Sequence, residues 1–329
     1  MRLHRHRSTI FPAAVLLGCA LATAAPTPPA QPASGPGGSD YRHAKVVATS
    51  HGKGATGYWL YEPAEPAPKS APLVVFNHGW LAYVPGAYRA WTEHLVKRGN
   101  IVVYPLYQDS PFTRGEQFTP NAIRAVKDAL LELQTGHHVR PELDKFAIVG
   151  HSAGGVITAD MAVRAAAEGL PVPKALMIVE PGRGELGGRP GMPIADCTKL
   201  PATALLLVVI GETYPARPEI WPAATIYRQA PLPAANKNFI TVPTDRHGQP
   251  ELISDHLSAC GEYHGPRWSA KVDALDYFGH WKPFDALSDA AFQDRNRDVA
   301  LGNTLQQRFM GRWSDGVPVN ELIVAEPPK

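Results

Sequence analysis

The chain has 329 residues, with 32 Lys and Arg against 30 Asp and Glu and a formal net charge of +2. Charges this balanced, with no long block of one sign, leave no basic footprint and argue against a nucleic-acid partner. With 44% hydrophobic residues, the chain can form one large domain with a sizeable core.

The N-terminus reads as an export signal over residues 1–24. Arg2, Arg5 and Arg7 precede an apolar stretch at 10–22, and Ala22-Thr23-Ala24 is a small-x-small cleavage pattern. The stretch is short for a membrane span of about 20 residues. Leu16-Leu17-Gly18-Cys19 also resembles a bacterial lipobox, in which Cys19 would carry a lipid. Simple secretion is the first expectation and an envelope-anchored lipoprotein the second; both place the protein in the periplasm or outside the cell. Residues 25–39, rich in Pro, Ala and Gly, are expected to form a disordered linker, leaving 40–329 as a single domain with an irregular C-terminal tail. Export would put Cys197 and Cys260 in an oxidising compartment. A bridge between them is expected, closing a loop of roughly 60 residues and contributing about 4 kcal/mol.

In chain order, 45–49 and 57–62 read as antiparallel edge strands. The apolar run at 73–76 suits a buried parallel strand and leads into Asn77-His78-Gly79-Trp80. Residues 87–98 have helical spacing and end at Gly99, a C′ residue; 101–105 is the next buried strand. Thr119 and Pro120 open a helix as N-cap and N1, with Ile123, Val126, Leu130 and Leu133 on one face. A strand at 146–149 runs into Gly150-His151-Ser152-Ala153-Gly154, and a helix follows over 156–167. Strands at 175–179, 204–210 and 238–242 end in Glu180-Pro181-Gly182, Gly211-Glu212 and Thr244-Asp245-Arg246-His247-Gly248. Residues 268–292 read as mostly helical, with a break around Gly279 and Pro283, and the tail from 294 as irregular apart from a turn at 305–309. This alternation predicts an α/β protein with a mostly parallel sheet and helices on both faces.

The strongest chemical signal is G-x-S-x-G at 150–154, set between a strand and a helix. Such a turn strains the serine backbone, and the two glycines leave room where the helix passes the strand. The plainer alternative is a Gly-rich loop whose serine caps the helix. His-Gly follows an early strand, acids follow the two strands after the elbow, and a His follows the last strand. In this order of motifs the chain resembles the α/β-hydrolase superfamily over nearly its whole mature length, and in detail its chlorophyllase, cutinase and polyester-hydrolase side.

The resemblance implies an α/β-hydrolase fold with Ser152 as nucleophile and a His after the last strand as its base. His247, five residues beyond Val242, is the expected base; His256 and His280 are its rivals. His151 is read as a packing residue, and His78 as a support for the loop it sits in. The acid that orients the base is ambiguous. The superfamily's common Gly-x-x-Asp position, counted from Gly211, is Tyr214. Glu180 matches another placement, an Asp-Pro step, with Glu for Asp; it is favoured over Glu212, with Asp196 and Asp245 more remote. Either Glu could instead be a loop acid paired with an arginine, Arg183 in the case of Glu180. The backbone N–H groups of Ala153 and, by resemblance, Trp80 would form the oxyanion hole. The Trp80 ring either walls an acyl pocket or packs in the core. No cluster has metal-ligand spacing, and no cofactor is implied.

The expected reaction is cleavage of a small or polymeric carboxylic ester through an acyl-enzyme. An amidase or peptidase on the same fold is the alternative, as is a non-catalytic binding protein, which the missing Gly-x-x-Asp keeps open. Membrane contact is expected only with a lipid on Cys19.

Overall fold

The computed structural model describes residues 24–184, 191–213, 222–264 and 269–328. Cys19, nearly all of the expected export signal and Tyr214 lie outside the described residues. The strands of the main sheet are β1 (Lys45–His51), β2 (Tyr58–Ala64), β3 (Ser70–Asn77), β4 (Ile101–Pro105), β5 (Arg140–His151), β6 (Ala175–Val179), β7 (Leu205–Gly211), β8 (Lys237–Val242) and β9 (Ile323–Val324). Among the described residues they pair in the order β1-β2-β4-β3-β5-β6-β7-β8-β9. The edges are antiparallel, through β1, β2 and β9, and the strands from β4 to β8 are parallel.

Side-chain alternation divides each central strand between two cores. Leu73, Val75, Val103, Ile148, Ile178 and Val208 join helices α2 (Phe118–Glu132) and α3 (Ala153–Arg164) on one face. Val74, Phe76, Val102, Val149, Met177 and Val209 meet α1 (Arg89–Lys97) and α5 (Lys282–Gln293) on the other, while α4 (Pro222–Gln229) packs in the first core. A strand covered on both sides must be apolar at successive positions, so these segments read as unbroken hydrophobic runs. The elbow follows the buried end of β5, and α3 packs back against β5 and β6.

Four expectations are corrected. Residues 25–39 are not a loose linker but a strap bound to the domain. The Gln249 N–H donates to the Pro26 carbonyl at 2.8 Å, the Ser314 N–H to the Thr27 carbonyl at 3.0 Å and Arg98 to the Gly35 carbonyl at 3.0 Å. The Gly37 N–H donates to Asp285 Oδ2 at 2.8 Å. Asp285 is buried, 2.9 Å from His94 Nε2 and 3.1 Å from Arg98 Nε. Burial pushes its carboxyl up, but His94, Arg98 and the Gly37 N–H outweigh this and leave it below the usual carboxylate range. The Pro, Ala and Gly composition suggested disorder, yet Pro and Ala lose little entropy on ordering, so a few backbone hydrogen bonds hold the strap.

The helix around Gly279 and Pro283 does not break. Leu275–Trp281 forms a π-helix that runs directly into α5, with Pro283 in the first turn of α5, where a missing N–H is tolerated. The tail is not wholly irregular: β9 pairs with β8, Ile323 opposite Thr241. The expected Cys197–Cys260 bridge is absent. Both cysteines are free and buried, Cys197 in the core beside α2 and α3 and Cys260 in the opposite core. The sheet separates them, and burial pushes each thiol up to about 12.

Protein lacking residues 1–24 should therefore show two free thiols. They should be silent towards a disulfide reagent in the native state, both titrating in denaturant, and a reducing agent should leave Tm unchanged. A missing thiol, or a Tm lowered by reduction, would contradict this.

Candidate active site

Ser152 sits between β5 and α3 at φ 57° and ψ −123°. A side chain rarely adopts that backbone, and it persists only where the surroundings over-determine it. Here the Ser152 N–H donates to the Val179 carbonyl at 2.9 Å, and the Gly155 and Gly182 N–H groups both donate to the Ser152 carbonyl at 2.9 Å. The flanking glycines are required for space. A Cβ on Gly150 would lie 2.1 Å from the Gly154 carbonyl oxygen, and one on Gly154 would lie 1.9 Å from the Asn77 carbonyl oxygen. The expectation of a tight turn with small neighbours therefore has a direct steric basis.

His256, not His247, faces the serine. His256 Nε2 is 3.0 Å from Ser152 Oγ, and its Nδ1 is 3.5 Å from Glu180 Oε2. A carboxylate only accepts, so the ring places its proton on Nδ1 towards Glu180 and leaves Nε2 to accept from the serine hydroxyl. The 3.5 Å separation is an ion-pair distance, long for a hydrogen bond. Catalytic contacts of this kind often tighten only around substrate. Glu180 is 1% exposed, whereas the His256 side chain is 49% exposed, so the site opens to solvent on the histidine side.

The loop after β8 explains why His247 is displaced. Asp245 and Leu252 form an antiparallel bridge, so residues 246–251 leave the sheet edge and return to it. His247 lies on that excursion, its Nε2 2.8 Å from Asp315 Oδ2. The chain comes back towards the elbow at Ser254, whose N–H donates to Thr244 Oγ1 at 3.1 Å, and His256 follows. Counting residues from the strand finds His247; only the bridge reveals that the next nine residues include a detour. His280, the other rival, is buried away from solvent, with Nε2 3.4 Å from Ser258 Oγ.

Of the acids, Glu180 is the one beside His256. It has φ 46°, its N–H donates to the Val209 carbonyl at 2.8 Å, and its Oε1 accepts from the Gly211 N–H. Arg183 directs Nε to the Met192 carbonyl at 2.8 Å. Glu212 caps the loop after β8 instead, accepting the Thr244 N–H at 3.0 Å. Asp245 is buried as an anchor for the His247 N–H, Trp313 Nε1 and the Asn320 N–H, and Asp196 caps the short turn at Cys197–Lys199.

The loop after β3 is held close to the serine. A Cβ on Gly79 would lie 3.4 Å from Ser152 Cβ. Tyr107 donates its hydroxyl to the His78 carbonyl at 2.8 Å, and the Leu81 N–H donates to Gln108 Oε1 at 2.7 Å. His78 is buried between Tyr104 and Tyr107 and reaches the Leu106 carbonyl at 3.0 Å with Nε2, so it braces this loop. Trp80 is half-buried and packs against the core on the α3 side. Among the described residues, no backbone bond of a turn or loop uses the Trp80 N–H or the N–H of Ala153, the first residue of α3.

Residues 74–204 match a protein family described as alpha/beta hydrolase fold. The matched stretch runs from β3 through the elbow and Glu180 to the start of β7. With the nine-stranded sheet, this makes the chain a hydrolase-fold protein of the α/β class. Among curated proteins nothing matches it.

Burial lowers the pKa of His78, and of His280, to about 4. An unfolded imidazole titrates near 6.5, so between pH 6.5 and 4 the unfolded chain binds more protons. Their contribution to stability is full above about pH 6.5 and is lost as pH falls towards 4. Tm followed by circular dichroism should drop across that window, and H280Q should flatten the drop. A Tm independent of pH there would contradict the neutral, buried state of both rings.

Proposed function

We propose that this chain is an exported serine hydrolase that cleaves carboxylic esters through an acyl-enzyme on Ser152. One observation carries the reading: the contact series Ser152 Oγ to His256 Nε2 to Glu180 Oε2, at 3.0 and 3.5 Å. It is the relay a serine needs, since its hydroxyl is a poor nucleophile without an adjacent base.

In the proposed reaction His256 Nε2 takes the Ser152 proton as Oγ attacks the ester carbonyl. The charge that develops on the carbonyl oxygen is met by the N–H groups of Trp80 and Ala153, neither of which is used in a turn or loop backbone bond. Glu180 holds the ring and offsets the charge of the imidazolium. The intermediate collapses, His256 gives its proton to the departing alcohol oxygen, and the acyl group remains on Ser152. Water, deprotonated by the same nitrogen, then releases the acid and restores the serine.

Ester rather than amide substrate is proposed on the resemblance to the chlorophyllase, cutinase and polyester-hydrolase side of the superfamily. Export rests on the basic and apolar N-terminus with its Ala22-Thr23-Ala24 site, and Cys19 offers lipid anchoring as the alternative form.

On p-nitrophenyl esters, S152A and H256A should each lose at least about 10⁴-fold in kcat/KM. H247A should stay within about threefold of the parent. E180Q should lose about 10³- to 10⁴-fold, because His256 then favours the wrong tautomer, and E212Q should be nearly silent. Full activity in S152A would sink the reading. A larger loss in H247A than in H256A would return the base to His247. Matched ester and amide substrates separate an esterase from an amidase.

A further inference from the structure

Three loops meet at Ser152, and one buried chain of hydrogen bonds connects them. The Gly79 N–H lies 3.0 Å from Tyr88 Oη, Tyr88 Oη lies 2.7 Å from His151 Nδ1, and His151 Nε2 lies 2.8 Å from the backbone carbonyl oxygen of His256. Chemistry fixes the direction of every link. The His256 carbonyl can only accept, so His151 carries its proton on Nε2. Nδ1 of the neutral ring can then only accept, so Tyr88 donates to it. The Gly79 N–H can only donate, and it fills a lone pair of the same phenol oxygen.

The neutral state this needs is the one the site enforces. Burial, with His256 and His280 nearby, holds His151 well below the ordinary imidazole value. Its ring centroid is 4.8 Å from that of His256. A proton on His151 Nδ1 would reverse that link: Tyr88 Oη would accept from both Gly79 and His151, and its own hydroxyl proton would lose this acceptor.

We propose that His151 is a positioning residue for hydrolysis at Ser152: through Tyr88 and the His256 carbonyl it locks the loop carrying Trp80, the elbow and the base into one register. The proposal rests on the serine-hydrolase reading above. It explains why an imidazole occupies the variable position of G-x-S-x-G here. That position is the last residue of β5 and lies between the two loops that must be held. His256 itself is 49% exposed on its side chain and has little packing to fix it. Its backbone is therefore where an anchor is most useful, and displacement of a reacting group by about 1 Å can cost about 100-fold in rate.

The test uses the full chain, with folding checked by circular dichroism and Tm. H151F keeps an aromatic ring and removes both polar atoms. H151Q keeps one donor and one acceptor on adjacent positions and cannot become charged. Y88F removes only the shared hydroxyl. Steady-state kinetics on a p-nitrophenyl ester and the rate of covalent labelling by a fluorophosphonate are measured for all three and for the parent. H151F is expected to lose about 100-fold in kcat and in labelling rate with KM within about threefold. H151Q should recover at least about tenfold of that loss, and Y88F should lose about tenfold. Should H151F not fold, Y88F and H151Q read the same chain. Variants with parental kcat would overturn the proposal, as would H151Q being as slow as a folded H151F or a change confined to KM. A parent that neither hydrolyses the ester nor takes the label would instead overturn the serine-hydrolase reading, and the positioning role with it.

Discussion

The strained peptide at Ser152 governs the rest of the site. Holding a residue at φ 57° costs energy on the order of 1–3 kcal/mol, which the surrounding fold must over-determine. Three backbone hydrogen bonds to β6, α3 and the Glu180-Pro181-Gly182 step do this, and two glycines give the helix room to pass the strand. The result lifts the serine hydroxyl clear of β5 and places it where the loops after β3, β6 and β8 converge. A parallel sheet makes this convergence possible, because successive strands deliver their C-terminal ends to one edge.

Each loop brings one chemical part and is stabilised by its own means. Aromatic stacking and side-chain bonds to backbone fix residues 78–82. Glu180 is placed by its own backbone and by the Gly211 N–H, which leaves one carboxylate oxygen for His256. The loop carrying His256 is tied back by the Asp245–Leu252 bridge and by His151. Buried imidazoles that stay neutral serve this architecture better than charged ones. His78 and His151 contribute directional hydrogen bonds without placing a charge beside Ser152.

Much of this was legible in the chain itself. The apolar runs gave the order of the central strands because both faces of the sheet are covered. The elbow was legible because its glycines are sterically obligatory; Glu180 and Glu212 each follow a strand end, so the sequence left the acid a choice between them, and the fold brings Glu180 beside His256. What stayed hidden depends on non-local geometry. A bridge eight residues long in sequence, between Asp245 and Leu252, decides that His256 reaches the serine while His247 meets Asp315. The sheet that separates Cys197 from Cys260 is invisible to cysteine counting. The strap at 25–39 has a linker's composition but finds acceptors and donors on Arg98 just past α1, on α5, on the loop after β8 and on the C-terminal tail. Helix α4 and strand β9 lie in segments whose proline and polar content masks their regularity.

The central claim is that the Trp80 and Ala153 N–H groups, Ser152, His256 and Glu180 form one working constellation. A crystal structure of the chain after reaction with a phosphonate ester probe tests it most directly. The account predicts phosphorus bonded to Ser152 Oγ and one phosphoryl oxygen about 2.7–3.1 Å from both backbone N–H groups. It also predicts His256 Nε2 on the opposite side of the adduct and a shortened contact to Glu180. Phosphorus on another residue, or a phosphoryl oxygen turned away from Trp80 and Ala153 with His247 brought to the adduct, would contradict it.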